Sequence, residues 1–172
     1  MKKIIPAFTS LFIFFISSNA QTEIGVEYSH GFGKSYNSNS IGSLFEGFSK
    51  TGKSSWQLGA SYNFSKGSTK SSGFAISGGY RYGYAYGNSG NLYTGLRLTF
   101  NFLKTDRGGS YTQFTPSLEA GYHYTFNNFG KGGYLTPGFG YGYNINFGSK
   151  EERTDNGGGN LLLTRIGFGY RF

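Results

Sequence analysis

The chain has no cysteine, few charged residues and, after its first 20 residues, no long apolar run. Without cysteine there is no disulfide framework, so a folded domain depends on core packing or on the strand pairing of a closed sheet. Charged residues make up 14% of the sequence, against about 25% in ordinary soluble domains. No later run approaches the ~18 to 20 apolar residues that a membrane-spanning helix needs. These absences argue against a disulfide-rich fold and against a helical membrane protein.

Aromatic residues and glycine take the place of the missing charges. Aromatic side chains account for 20% of the 172 residues, and there are 30 glycines. This length is enough for one domain. A soluble domain with so many aromatic and so few charged residues would have difficulty covering its exterior with polar groups. A barrel surrounded by lipid would not need to cover its exterior with polar groups.

The N-terminal segment predicts a cleaved secretory signal peptide. Lys2 and Lys3 form a basic start, residues 4–16 are mostly apolar with Pro6 among them, and Ser18-Asn19-Ala20 precedes Gln21 as a small-x-small cleavage pattern. We therefore expect residues 1–20 to be a signal peptide and residues 21–172 to form the mature domain. Removing the two lysines lowers the formal net charge of +8 to +6.

Period-two alternation predicts strands along the whole mature chain, with no convincing helix. Seven segments alternate clearly: 24–32, 56–64, 74–86, 92–102, 114–126, 137–147 and 162–172. Residues 41–48 are ambiguous, because Leu44, Phe45 and Phe48 do not share one parity. We predict a strand there as well, since bacterial single-chain barrels have even strand counts and eight is a common small size.

Eight strands return both ends of the chain to the same side of a barrel. With a periplasmic N-terminus, the inner turns are expected near residues 50–53, 87–91 and 127–132. The outer loops are expected at residues 34–40, 66–72, 104–110 and 149–159, the last being the longest and most charged. Short inner turns and longer outer loops are typical of outer-membrane barrels.

Alternation alone does not distinguish a membrane barrel from a soluble, lipocalin-like barrel with an apolar interior. The second face of each strand favours the membrane barrel, because it is rich in Gly, Ser, Thr and Asn rather than in Lys and Glu. Small side chains of this kind suit the narrow lumen of an eight-stranded barrel. The aromatic face is then expected to meet lipid, with Tyr and Trp56 near the headgroups.

The C-terminal segment alternates down to an aromatic last residue. Its apolar positions include Ile166, Phe168, Tyr170 and Phe172. This pattern resembles the C-terminal assembly signal of bacterial outer-membrane barrels, and the mature chain as a whole resembles small eight-stranded barrels of the OmpA/OmpX type. The resemblance implies an all-β, antiparallel, up-and-down transmembrane barrel in the outer membrane of a Gram-negative bacterium, recognised during insertion by the outer-membrane assembly machinery.

Residues for catalysis or metal binding are scarce. His30 lies on the lipid-facing parity and His123 on the lumen parity, and His123-Tyr124-Thr125 is a poor match to a His-Ser hydrolase pattern. No sequence cluster of Cys, His and carboxylate indicates a metal site, and no phosphate-binding loop precedes a helix. We predict a monomer that is not an enzyme, with no cofactor and no nucleic-acid partner.

Charged strand residues form the one pattern that points to a site. By parity, Glu23 and Arg171 point into the lumen. Five others share that parity and a similar depth, which predicts one charge layer: Glu27, Arg81, Arg97, Glu119 and Arg165. Unpaired charges in a narrow lumen are costly, so we expect them to pair. The layer is interpreted as a structural plug, with a gate or a small binding site as the alternatives.

The expected function is therefore a structural or surface-interaction role in the outer membrane. Five cations of the outer loops are candidates for contact with lipopolysaccharide phosphates: Lys34, Lys66, Lys70, Lys104 and Arg107. Solubility and positioning alone would explain them equally well. Two other functions stay open, a narrow channel for small solutes and a secreted adhesive or amyloid-like protein.

Overall fold

The computed structural model describes residues 21–34, 36–67, 70–87, 89–127, 130–148 and 158–172. The expected signal peptide, residues 1–20, lies outside them. Within these ranges the chain forms eight strands: β1 (Gln21–Gly33), β2 (Tyr36–Phe48), β3 (Ser54–Gly67), β4 (Ser71–Gly87), β5 (Gly90–Thr105), β6 (Ser110–Thr125), β7 (Gly132–Phe147) and β8 (Gly159–Arg171).

The strands close into one barrel. Each strand pairs antiparallel with the next along the chain, and β1 also pairs with β8, from Glu23 opposite Arg171 to Gly33 opposite Leu161. Closure leaves no edge strand with unpaired backbone groups. The predicted fold, an antiparallel up-and-down barrel of eight strands, is confirmed for the part of the chain that the structure describes.

The ambiguous segment 41–48 is a strand, and its mixed parity has a structural cause. Leu44 and Phe48 point into the lumen and are 4% and 5% exposed, whereas Ile41 on the opposite parity is 52% exposed. Both faces of β2 therefore carry large apolar side chains. The expected outer loop at 34–40 is wrong from residue 36 onward, because that segment continues β2 and pairs with β3, with Ser38 opposite Ser65.

Both described ends of the chain lie at the same end of the barrel, here named the terminal rim; the opposite end is the far rim. By the strand bounds, the connections after β2, β4 and β6 begin at the terminal rim, and those after β1, β3, β5 and β7 begin at the far rim. The strands thus extend further into the connections than expected at 66–72, 87–91 and 104–110. The expected difference in loop length is wrong for the first three far-rim connections, which span two, three and four residues, because the terminal-rim connections after β2 and β6 span five and six. The two-residue connection after β4 is the exception. Turn residues Gly52 and Gly108 have φ of 68° and 88°, which favours glycine.

The exterior of the barrel is apolar. The side chains of Phe74, Leu118, Phe126, Phe139 and Phe168 are 60–71% exposed, and such areas are unfavourable in water by about 25 cal/mol per Å². A soluble barrel with its apolar face inside is therefore not what this sequence forms. In the part of the chain that the structure describes, no helix has the length and apolar character needed to cross a bilayer.

The interior combines polar groups with a few large apolar side chains. Tyr93, Tyr111 and Tyr134 are 2–4% exposed, and Leu161 packs against Leu163. The side chains that face the lumen are therefore not all small, although the Gly, Ser, Thr and Asn content of that face predicts small side chains. These side chains fill a space too narrow for a wide aqueous channel.

Candidate functional site

Charged side chains of both signs meet inside the barrel. Among the described residues, the lumen-facing strand positions hold four carboxylates and four guanidinium groups, supplied by six strands: Glu23, Glu27, Glu46, Arg81, Arg97, Glu119, Arg165 and Arg171. They divide into a central network and a smaller cluster near the terminal rim. The formal charges of these eight groups sum to zero.

Glu119 on β6 is the centre of the central network. Its Oε1 accepts from Arg81 Nε at 2.7 Å, and its Oε2 lies 3.4 Å from Arg97 Nε and pairs with Arg165 NH1. Arg97 also pairs with Glu27, donating from NH2 to Oε2 at 3.0 Å. The structure therefore brings together all five residues of the charge layer expected from sequence.

Two members of the network were missed at the sequence level, Glu46 and Gln57. Arg81 NH1 lies 3.1 Å from Glu46 Oε2, which also accepts from Gln57 Nε2 at 2.8 Å. Gln57 Oε1 in turn accepts from Arg97 NH2 at 2.9 Å. Glu46 was missed because the alternation of apolar residues along β2 is ambiguous. The pairing of β2 with β1 places Glu46 opposite Glu23, and this register would have shown that Glu46 points into the lumen.

Glycines provide the space that the network occupies. A Cβ on Gly95 would lie 2.6 Å from the Tyr80 carbonyl oxygen and 3.0 Å from Arg81 Cγ, closer than real contacts allow. A Cβ on Gly121 would lie 2.5 Å from the Tyr93 hydroxyl. The Arg81 guanidinium stacks over the Tyr93 ring at 4.2 Å, a favourable cation–π contact. Lumen-facing glycine in this layer is therefore a consequence of packing.

A second cluster lies toward the terminal rim. Glu23 Oε1 accepts from Arg171 Nε at 2.6 Å and lies 3.0 Å from His123 Nε2, while His123 Nδ1 is 2.9 Å from the Thr136 hydroxyl. Aromatic rings enclose these groups. Phe48 lies 4.6 Å from the Arg171 guanidinium carbon, and the Tyr134 ring stacks on His123 at 5.3 Å. Polar contacts and rings together join β1, β2, β6, β7 and β8.

Thr136, His123 and Glu23 are connected in the order hydroxyl, base and acid, as in a catalytic triad. The hydroxyl, however, is not accessible. Thr136 is 4% exposed and His123 is 3% exposed, so a substrate has no room beside them. The neighbouring Thr125, considered at the sequence level, bonds instead to the Ser89 carbonyl oxygen at 3.1 Å. Catalysis is recognised by geometry and roles, and this geometry supports a packing role.

Toward the far rim the lumen becomes neutral. A cavity of about 70 Å³ is bordered at its base by Glu27, Arg97 and Arg165 and elsewhere mainly by hydroxyl and amide groups. The amides are bonded across strands, with Thr115 donating to Asn144 at 2.7 Å and Gln113 to Asn146 at 2.9 Å. A space of this size holds a few water molecules.

The expected assembly signal forms the outer face of β8. Ile166, Phe168, Tyr170 and Phe172 are 44–60% exposed, and the rings of the last two meet edge to face at 5.2 Å. The Phe172 N–H donates to the Thr22 carbonyl oxygen at 3.0 Å, so the last residue is tied to β1.

Exposed cations lie at the far rim. Lys34, Lys70, Lys104 and Arg107 are exposed there, together with Asp106. The side chain of Lys66, the fifth expected cation, lies outside the described part of the structure. His30 is on the outer face, as expected, and its Nδ1 is 2.6 Å from Asn39 Oδ1.

No protein-family model and no curated protein sequence matches the chain. Among solved structures, the barrel is similar to the crystal structure of Neisserial surface protein A, with a TM-score of 0.60 and 16% sequence identity. The match covers 88% of this chain and 94% of that one. The resemblance expected from sequence is thus confirmed at the level of the fold.

Proposed function

We propose that this protein is an integral barrel of the outer membrane with a lumen plugged by ion pairs, and that it has a structural or surface-interaction role without catalysis. The ion-paired lumen is the observation that carries this proposal. Its side chains bond to one another across the barrel, which uses most of their hydrogen-bonding capacity internally.

The exterior supports the location. Large apolar side chains cover the outside of the strands, and among them are tyrosines near both rims, such as Tyr82 and Tyr170 at the terminal rim and Tyr62 and Tyr143 at the far rim. Aromatic residues at two levels with aliphatic residues between them are typical of barrels in lipid. A segment with the features of a signal peptide precedes the barrel. The similar solved barrel is itself named a surface protein.

The charges support a plug. Removing one partner of a buried ion pair strands the other, and the formal charges of the eight lumen groups balance. The cavity beside Glu27, Arg97 and Arg165 is about 70 Å³, and a second one beside Glu46 and Arg81 is about 10 Å³. Neither volume matches a solute pathway, so the channel alternative has no specific support.

The far-rim cations support a surface role. Guanidinium and ammonium groups bind phosphate through charge-assisted hydrogen bonds, and lipopolysaccharide presents phosphates at the outer surface. We propose that Lys34, Lys70, Lys104 and Arg107 contact them. If these residues serve solubility alone, replacing them will leave the association with lipopolysaccharide unchanged.

Cell fractionation combined with electrophysiology tests the proposal. The protein is expected in the outer-membrane fraction, with a folded band that shifts on heating in detergent, and with negligible conductance in planar bilayers. An unshifted band in the soluble fraction would contradict the location. A steady conductance of the unmodified barrel would favour the channel, and fibres in place of detergent-soluble monomers would favour the adhesive alternative.

A further inference from the structure

The cluster near the terminal rim contains the ligand types of a metal site. Glu23, Glu46 and His123 each have a ligand atom within 4.8 Å of the others, and all three are at most 3% exposed. The two glutamates are directly opposite on β1 and β2, and the histidine reaches them from β6. The sequence did not indicate this group, because its members are separated along the chain and one of them lies on the ambiguous strand.

The two contacts of His123 Nε2 cannot both be hydrogen bonds, whether or not this nitrogen carries a proton. This atom is 3.0 Å from Glu23 Oε1 and 3.0 Å from Arg171 NH2. An arginine only donates, and an ionised carboxylate only accepts. If Nε2 accepts from Arg171, two acceptors face each other at 3.0 Å; if Nε2 is protonated, two donors face each other instead. The Arg171 guanidinium contacts both atoms in this structure, and a metal cation shared by the imidazole and the carboxylate would take over the bridging between them.

The same level of the barrel is short of donors. Of the buried side-chain atoms that the structure describes, Arg97 Nε in the central network has no hydrogen-bond partner, and neither do Glu23 Oε2 and Asn91 Oδ1 at this level. Asn91 lies directly opposite His123 on β5. Buried polar atoms nearly always have partners, and these two are both acceptors. Glu23 is 0% exposed, so bulk water does not supply the missing donor.

A small cavity borders the cluster. Its volume is about 10 Å³, and its lining includes Glu46, Asn91 and His123 together with Gly52 and Lys53 of the rim turn. The space is close to that of one water molecule. The cavity therefore places a water-sized space beside Glu46 and His123, next to the rim turn.

We propose that Glu23, Glu46 and His123 bind one divalent transition-metal ion of the Zn²⁺ type. Imidazole nitrogen with carboxylate oxygen suits Zn²⁺ and its neighbours, whereas Mg²⁺ and Ca²⁺ prefer oxygen ligands alone. Zn–N and Zn–O distances of about 2.0–2.1 Å place tetrahedral ligands about 3.3 Å apart, near the separation of His123 Nε2 and Glu23 Oε1.

Neighbouring groups orient the proposed ligands. Glu46 Oε1 accepts from the Ser55 hydroxyl and Oε2 from Gln57 and Arg81, while Arg171 Nε holds Glu23 Oε1. Outer contacts of this kind fix ligand carboxylates in metal sites. On metal binding, Arg171 gives up its contact with His123, and the unpartnered Oε2 of Glu23 offers its NH2 an acceptor on the same carboxylate.

Calorimetric titration of ZnCl₂ into the refolded full-length mature barrel in detergent micelles tests this site. We expect one Zn²⁺ per barrel. His123→Gln should weaken binding at least about 10-fold, since second-shell changes alone weaken sites by 10–100-fold. His30→Gln, which alters a histidine on the outer face, should bind like the parent. Absence of saturable binding, or equal binding by His123→Gln and the parent, would overturn the proposal.

A second measurement covers the case in which His123→Gln does not refold. X-ray absorption at the zinc edge of the His30→Gln barrel, whose one remaining histidine is His123, should show imidazole nitrogen in the first coordination shell after loading with one equivalent of Zn²⁺. A shell of oxygen alone would overturn the proposal. The result does not depend on where the barrel resides in the cell.

Discussion

Glu119 shows how much a single side chain contributes to this lumen. Three guanidinium groups surround its carboxylate, from Arg81, Arg97 and Arg165, and the residue is 4% exposed. Neutralising it leaves three cations close together with Glu27 and Glu46 as the remaining anions of the network. The free energy of unfolding should therefore fall by more than the contribution of one hydrogen bond.

We predict that Glu119→Gln lowers the free energy of unfolding by about 3–5 kcal/mol, the usual cost of breaking a buried ion pair. Asp106→Asn at the exposed far rim is the matched control, also a carboxylate-to-amide change, and should have little effect. Urea unfolding of the refolded barrel measures both. Equal midpoints for the two variants would contradict the central role of Glu119.

At the scale of strands, the sequence predicts which side chains point into the lumen wherever the alternation is clear. It does not predict which side chains from different strands contact each other. Glu27, Arg81, Arg97, Glu119 and Arg165 were found because each lies on a strand with clean alternation. Glu46 was not, since β2 buries Leu44 and Phe48 on one face and exposes Ile41 on the other. The Thr136–His123–Glu23 contacts depend on how strands far apart in sequence align, and no local pattern encodes that alignment.

The strand bounds show the same limit. The alternation predicts the number and order of the connections, but hydroxyl-rich segments such as residues 36–40 resemble loops while they pair as strands. Ser and Asn favour turns in isolation. In a closed barrel their small side chains instead fit the lumen, and cross-strand pairing decides where each strand ends.

The outer face of β8 offers a prediction at this scale. Replacing Tyr170 and Phe172 with Ser should leave export intact and strongly reduce insertion into the outer membrane, if the terminal alternation is an assembly signal. Tyr124 and Phe126 provide a matched control, since their rings also meet edge to face, at 5.1 Å, near the same rim. Quantifying heat-shifted folded protein in outer-membrane fractions compares the two double variants. Equal losses would indicate a general need for rim aromatics and no special signal.

At the scale of the whole molecule, the two ends of the barrel differ in chemistry. The ion pairs and the His123 cluster occupy the centre of the lumen and the part nearer the terminal rim, whereas hydroxyl and amide groups line the part nearer the far rim. In the proposed membrane orientation, the charged part faces the periplasm and the neutral part faces the outside.

Cysteine labelling tests this orientation. Lys70→Cys at the far rim should react with a membrane-impermeant thiol reagent on intact cells, whereas Lys131→Cys at the terminal rim should react only after the outer membrane is permeabilised. Both lysines are exposed, and the chain has no other cysteine. The reverse labelling pattern would invert the proposed topology.

The pair between Glu23 and Arg171 joins residues 148 positions apart in the chain. Contacts at such separations form late in folding, because a long loop must close before the contact contributes energy. Without β8, the described lumen positions hold four carboxylates and two guanidinium groups, which leaves two uncompensated negative charges. Because of these two charges, we expect a sheet without β8 to be more stable in water than in lipid. Electroneutrality of the described lumen groups is reached when the ring closes, so we expect closure and, in the proposed location, entry into the bilayer to be coupled in one late step of folding.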